Sequence, residues 1–220
     1  MDSKKVIIFG IIDTAELAHY YLENDSDYTV AGFSVTSEFL KTETYKGLPV
    51  YPFEEIENIC KPHSYNFFVP MTGRKMNRLR EEIYCKVKAK GYKLISYISS
   101  KATVLTNSIG ENCFILEDNT VQPFVRIGNN VVLWSGNHIG HHSTINDHVF
   151  FTSHVVLSGH CDVGSYSFFG VNATIRDYTK IAEGTLVAMS ASIIKNTEPW
   201  GVYKGVPAVK SEVLSKDLDF

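Results

Sequence analysis

The chain lacks the features that mark several large protein classes. No run of eighteen apolar residues occurs in its 220 residues, so no membrane span is expected. No cationic start leads into an apolar stretch, so no signal peptide is expected either. Lysine and arginine number 21 against 24 acidic residues, a net charge of -3, and this balance excludes the basic footprint of a nucleic-acid binder. Cysteine is scarce. Cys60, Cys85, Cys113 and Cys161 form no CxxC pair, which argues against a disulfide scaffold or a zinc ribbon and for reduced thiols in a cytoplasmic protein.

What the chain does have is a six-residue beat. An aliphatic residue or Phe opens each hexapeptide at Ile109, Ile115, Val121, Ile127, Leu133, Ile139, Ile145, Phe151, Leu157, Val163, Phe169, Ile175, Ile181, Val187 and Ile193. Small or β-branched residues recur four places later, as at Val125, Val131, Ser143, Val155, Ala173 and Ala191. This is the signature of a hexapeptide parallel β-helix. The beat groups in threes, since Ile109-Gly110-Glu111-Asn112 finds its counterparts at Ile127, Ile145, Val163 and Ile181. Three faces per turn then make a triangular prism of five coils, with residues eighteen apart stacked about 4.8 Å from one another, the spacing of neighbouring strands.

The first hundred residues do not follow the beat. Lys5–Phe9, Thr29–Val35, Tyr65–Pro70 and Lys93–Ile98 read as strands. A helix follows Gly10 with Asp13 or Thr14 as N-cap, and Met76–Lys90 reads as an amphipathic helix closed by Gly91. Strands alternating with helices suggest a parallel sheet. The expected division is 1–98 for the sheet domain, 99–198 for the β-helix and 199–220 for a tail that leaves it as an extended segment or short helix. Ligands of open parallel sheets sit beyond the carboxyl ends of the strands. The loops at Gly10 and at Thr72-Gly73 fall there, either as a nucleotide site or as simple turns.

Six of the eight histidines lie between His138 and His160. His142, His148, His154 and His160 hold the same place in four successive hexapeptides, hence successive corners, and only His142 and His160 share a column. A zinc site needs three or four side chains converging at about 2.0–2.1 Å. On this reading one chain does not offer them, and no metal is expected. His141 stands apart. It takes the third place of Ile139-Gly140-His141-His142, with Gly159 one coil later. A histidine as general base beside a backbone N–H that no side chain obstructs is the pair that acyl transfer requires.

The repeat, together with the terminal Gly201-Val202-Tyr203-Lys204-Gly205-Val206-Pro207-Ala208 segment, resembles the left-handed β-helix acyltransferases. Taken with the N-terminal strands, the whole chain resembles the sialic-acid O-acetyltransferase-like family, and within it the N-acetyltransferases of nucleotide-linked amino sugars. The resemblance implies a Rossmann-like sheet domain, a left-handed coil, a homotrimer, acetyl-CoA as co-substrate and no metal. It assigns the base to His141, with His142 beside it where the family often has a carboxylate, and the oxyanion donor to Gly159. It implies a coenzyme groove along Gly159, Val171, Asn172, Met189 and Ser190, to which Lys204, Pro207 and Lys210 of the tail are added as candidates. It implies a sugar-nucleotide site at Gly10, Ile11, Ile12, Asp13, Thr72 and Gly73, with Trp134 and Asn137 as further candidates. The expected activity is acetyl transfer to an amino group. Transfer to a sugar hydroxyl is the alternative, and a metal hydratase of the γ-carbonic-anhydrase type is a more distant one.

Overall fold

A computed structural model describes residues 4–207 and 209–218. Ala208, the last residue of the tail motif, lies outside the described residues, as do the ends of the first and last expected segments. The contacts divide the chain into two compact units, one of 1–72 and 82–97 and the other of 73–81 and 98–220. The short stretch Gly73–Glu81 and the tail thus both cluster with the β-helix.

In the first unit, β1 (Lys5–Phe9), β2 (Thr29–Val35), β4 (Leu48–Pro52) and β5 (Asn66–Phe68) run parallel in the order β4-β2-β1-β5, and β3 (Thr44–Tyr45) joins β4 antiparallel. The sequence reading misses this hairpin, whose turn places Lys46 and Gly47 at φ 51° and 76°. Helix α1 (Asp13–Asn24) begins one residue earlier than expected. Ile12 is its N-cap without a side-chain bond, so neither Asp13 nor Thr14 caps it. A short α2 (Ile56–Ile59) follows β4. The last expected strand is reduced to a bridge at Leu94 and the pair Tyr97–Ile98. Apolar strand residues Ile7, Phe9, Phe67 and Val69 pack with Phe53, Ile83, Tyr84 and Val87 in the core of this unit.

Helix α3 (Arg78–Ala89) is shorter than the expected Met76–Lys90. Lys75, Met76 and Asn77 instead take positive φ, a left-handed turn closed by the Asn77 N–H on Gly73 O at 3.0 Å. Three successive left-handed residues are costly on their own. Tertiary contacts hold them: Met76 is buried, and the Asn77 amide donates to the carbonyls of Tyr166 and Ser167. Gly91 at φ 84° ends the helix as expected.

The second unit is a parallel β-helix. Two-residue strands pair with their counterparts eighteen residues on, as in Val132↔Phe150, His138↔Val156 and Thr144↔Asp162, and three sheets result. The first residue of each hexapeptide points inward with the residue four places later, and together they fill a continuous apolar core from Cys113 to Tyr203. Each corner turns through one left-handed residue, repeated every six positions from Asn112 to Ser190, with glycine only at 136 and 184. Asn, Asp and His tolerate this conformation better than most side chains. That accounts for the histidine run at 142, 148, 154 and 160 in structural terms. The tail does not leave the fold. Gly201–Lys204 adds a parallel strand beside Leu186–Val187, and Val209–Leu214 returns antiparallel to it. Tyr203 fills the end of the core, its hydroxyl accepting from the Glu198 N–H at 2.8 Å. The cysteines are free thiols, three of them buried.

One corner column is polar and buried. The Asn112 amide donates to Asn130 Oδ1 at 2.8 Å, and the Asn130 amide donates to His148 Nδ1 at 2.9 Å. His148 Nε2 lies 3.7 Å from Glu81 Oε1, which accepts from the Tyr166 hydroxyl. Burial holds His148 below its ordinary value of 6.5, with Glu81 and Asp147 pulling the other way and Arg80 adding to the depression. The unfolded chain therefore binds a proton more readily at this residue. Its contribution to stability is full above pH 6.5 and is lost as pH falls from there through the depressed folded value. His148→Gln is expected to flatten the loss of urea resistance between neutral and mildly acidic pH. A slope equal to that of the parent chain would rule the account out.

Candidate active site

The corner that carries His141 is an open edge of the β-helix. His138–Ile139 is a strand pair, Gly140 follows it, and the chain turns at His142, φ 58°. Gly140 is needed because a Cβ there would meet the Gly159 nitrogen at 2.4 Å. The two rungs are locked together by the His160 N–H on His141 O at 2.9 Å. His141, His142 and His160 are all exposed.

The His141 ring lies over Gly159. A Cβ at Gly159 would stand 3.0 to 3.3 Å from its ring atoms, nearest to Cε1 and Nε2. Glycine at 159 therefore leaves the space the imidazole occupies. Third-place N–H groups on neighbouring rungs meet side-chain acceptors: Glu111 meets Asn129 Oδ1, Asn129 meets Asp147 Oδ1, and His141 meets Gln122 Oε1 at 2.9 Å. The Gly159 N–H has no protein acceptor among the described residues. A donor of this kind, next to an exposed imidazole, is what a developing oxyanion requires.

His141 Nδ1 and His142 Nδ1 are 3.0 Å apart, so one ring donates to the other. No carboxylate hydrogen-bonds His141 among the described residues. Below this pair the corner forms a ladder of rings. Phe124 and His142 lie 4.6 Å apart, His142 and His160 4.9 Å, and His160 and Tyr178 4.5 Å with ring planes only 4° apart. Position along the column is set by the eighteen-residue register, so the side chains of 124, 142, 160 and 178 have little choice but to stack.

The expectation that one chain cannot gather three histidines is wrong. The ligand nitrogens of His141, His142 and His160 all lie within 4.8 Å of one another. Counting corners by column left out His141, whose side chain swings toward the same edge from the preceding position. His160 and Gln122 are the residues of this site that the sequence reading missed. Both were accessible to it, as eighteen- and nineteen-residue neighbours of His142 and His141.

Other candidate positions divide. Val171 and Met189 are exposed and one rung apart, with the Ser190 N–H bonded to Val171 O at 2.8 Å. Asn172 and Ser190 are corner residues at φ 61° and 56°, also exposed. Lys204 and Pro207 are exposed, whereas Lys210 is paired with Glu198, and that bond holds its amine above the ordinary range. Trp134 is half-buried. Asn137 does not face a ligand: it is 1% exposed, its amide donates to Trp134 O, and its Oδ1 accepts from the Val155 N–H. It belongs to the internal ladder that begins at Asn119. Gly73 is no open loop either. It is buried, and a Cβ there would meet the Phe168 ring at 2.7 Å. In the first unit, Gly10 (φ 106°) donates to Ser34 O, and Ile11, Ile12 and Asp13 open α1. Thr72 follows β5, which neighbours β1, so the two loops leave the same end of the sheet.

Residues 108–141 and 124–159 match the Hexapep family model, described as bacterial transferase hexapeptide (six repeats). Acyl-[acyl-carrier-protein]--UDP-N-acetylglucosamine O-acyltransferase of Helicobacter pylori is 27% identical over 128 residues, 51% of this chain and 47% of that protein. The chain thus spans about half the length of the curated relatives it matches. Among solved structures, perosamine N-acetyltransferase of Caulobacter crescentus, in complex with CoA and GDP-perosamine, superposes with a TM-score of 0.84. It is 21% identical, over 95% of this chain and 97% of that one. The acetyltransferase domain of PglB from Neisseria gonorrhoeae, also known with acetyl coenzyme A, gives a TM-score of 0.83 at 21% identity, over 95% and 100%. The fold, a sheet unit followed by a parallel β-helix, is shared with these proteins along nearly the whole chain.

Proposed function

We propose that this chain, which carries the hexapeptide repeat of bacterial transferases, moves an acetyl group from acetyl-CoA to the amino group of a nucleotide-linked amino-deoxy sugar. The observation that carries the reading is the exposed His141 ring beside the unclaimed N–H of Gly159. The amine nitrogen attacks the thioester carbonyl, and the Gly159 N–H holds the oxyanion. When His141 Nδ1 donates to His142 Nδ1, His141 Nε2 carries the free lone pair and takes the amine proton. The carbon–sulfur bond then breaks, and CoA leaves as a thiolate that collects that proton. No covalent intermediate on the chain is involved, and positioning the amine against the thioester supplies much of the rate.

Further support comes from the solved relatives of the same fold, which were crystallised with CoA and GDP-perosamine. The reading takes the coil as left-handed, the protein as a cytoplasmic homotrimer, and the coenzyme as lying along Val171, Asn172, Met189 and Ser190. The first unit is taken as a Rossmann-like domain holding the nucleotide at Gly10–Asp13 and Thr72, on the grounds of its parallel strand order and the common end from which both loops leave. No helix among the described residues is long and apolar enough to cross a membrane.

A panel of nucleotide-linked amino sugars and their hydroxyl counterparts, incubated with acetyl-CoA and read by mass and by resistance of the acetyl group to mild base, tests the reading. The expected product gains one acetyl group on nitrogen. Acetylation of the unaminated hydroxyl sugars alone would favour O-transfer, and no acetyl transfer to any of them would overturn the reading. His142 acts here as a positioning residue. His142→Ala is expected to slow turnover about tenfold, the lower end of what losing a supporting partner costs, with the KM for acetyl-CoA unchanged. His142→Glu, which restores a carboxylate, should recover the rate. Failure of the glutamate variant to outperform the alanine one would remove His142 from that role.

A further inference from the structure

The three histidines of the active-site corner can do more than orient one another. Nitrogens bound to a tetrahedral zinc at about 2.0–2.1 Å lie about 3.3–3.4 Å apart. Those of His141, His142 and His160 already lie within 4.8 Å, and the first two Nδ1 atoms are at 3.0 Å. Closing the set takes up to about 1.5 Å of movement by exposed side chains. The backbone needs none, since the His160 N–H on His141 O fixes the two rungs. His142 and His160 are 12° from parallel, and lone pairs of parallel imidazoles do not converge, so His160 must turn out of its stack with Tyr178. Three neutral imidazoles without a carboxylate suit Zn²⁺, Cu²⁺ and Ni²⁺ and not Mg²⁺ or Ca²⁺. The open edge leaves a fourth position to water.

We propose that His141, His142 and His160 form a zinc-class metal site that switches the chain's activity off. A metal ion on His141 Nδ1 leaves the neutral ring's proton on Nε2, so Nε2 has no lone pair for the amine proton, and metal occupancy and acetyl transfer exclude each other. The inhibitory half of this proposal rests on the acetyl-transfer reading above. The metal-binding half does not. His160 separates the two, because it has no part in the transfer chemistry.

The test uses the full chain without a polyhistidine tag, stripped of metal and titrated with Zn²⁺ against a chromophoric chelator. One zinc per chain at micromolar affinity is expected, with no competition from Mg²⁺, and His160→Ala should weaken binding at least about tenfold. Acetyl transfer, scaled to each chain's own rate without metal, should fall in proportion to zinc bound, return on adding chelator, and resist zinc in His160→Ala. Absence of zinc binding, or equal affinity in His160→Ala, overturns the site, and neither result needs a substrate. Zinc bound through His160 with an undiminished rate overturns the switch and removes His141 from the base role, while leaving the metal site in place.

Discussion

His141→Asn is expected to lower the turnover of acetyl transfer by about 10²–10⁴-fold, the share that a positioned general base supplies. Asparagine is close to imidazole in reach and can still hydrogen-bond His142, but it has no lone pair of comparable basicity. The folded state should be unaffected. His141 is exposed, and its backbone N–H and C=O are held by Gln122 and His160 whatever the side chain. The coenzyme is proposed to lie along backbone and along Val171 and Met189, so the KM for acetyl-CoA should stay within about twofold while the loss falls on kcat, as for an interaction made only in the transition state. Equal thermal midpoints for the two chains complete the measurement. Turnover within tenfold of the parent would move the base elsewhere, with His142 next in line.

Much of the β-helix was legible because its information is local. Each hexapeptide carries its own inward residue and its own corner, and the eighteen-residue register follows from three such units per turn. Gly159 and His141 could be paired on that arithmetic alone. What escaped was whatever depends on side-chain direction or on contacts distant in sequence. The convergence of His141 with His142 and His160 needed the ring orientations, because the two adjacent residues lie in a turn, where the strand period does not fix which way a side chain points. Asn137 looked like a polar group free for a ligand, and its amide is in fact held by Trp134 O and the Val155 N–H inside the corner. In the first unit the sheet strands stood out as apolar runs. The start of α3 did not, because Lys75, Met76 and Asn77 are held left-handed by a corner some ninety residues later in the chain. Arg80 falls within the expected amphipathic helix, and no local pattern marks it as buried.

Arg80→Met is expected to cost at least about 3 kcal/mol of stability, the largest loss from any single side chain discussed. Arg80 is fully buried in the second unit. Its Nε donates to Asn130 Oδ1 at 3.2 Å and its Nη1 to Asn77 Oδ1 at 3.1 Å. Its Nη2 reaches the carbonyls of Asn130, His148 and Val149 at 3.1 to 3.4 Å, and the guanidinium lies over the Phe150 ring. Burial pushes the guanidinium down to about 9, which still leaves it charged at neutral pH. Carbonyl and amide oxygens from two neighbouring rungs of the β-helix and from Asn77 therefore converge on one cation, and it ties the left-handed turn at Asn77 to the corner column of Asn130 and His148. Methionine fills similar volume but donates nothing. Each buried acceptor left unmet costs about 1–3 kcal/mol, and several are orphaned together. For a chain of this size that corresponds to a fall in the thermal midpoint of about 10 °C. Arg80→Lys, which keeps the charge but not the planar fork, should lie between the two. Thermal unfolding of the three chains in parallel provides the measurement. A methionine variant within about 1 kcal/mol of the parent, well under the cost of two unmet acceptors, would mean that the carbonyls find other donors and that Arg80 does not hold this corner together.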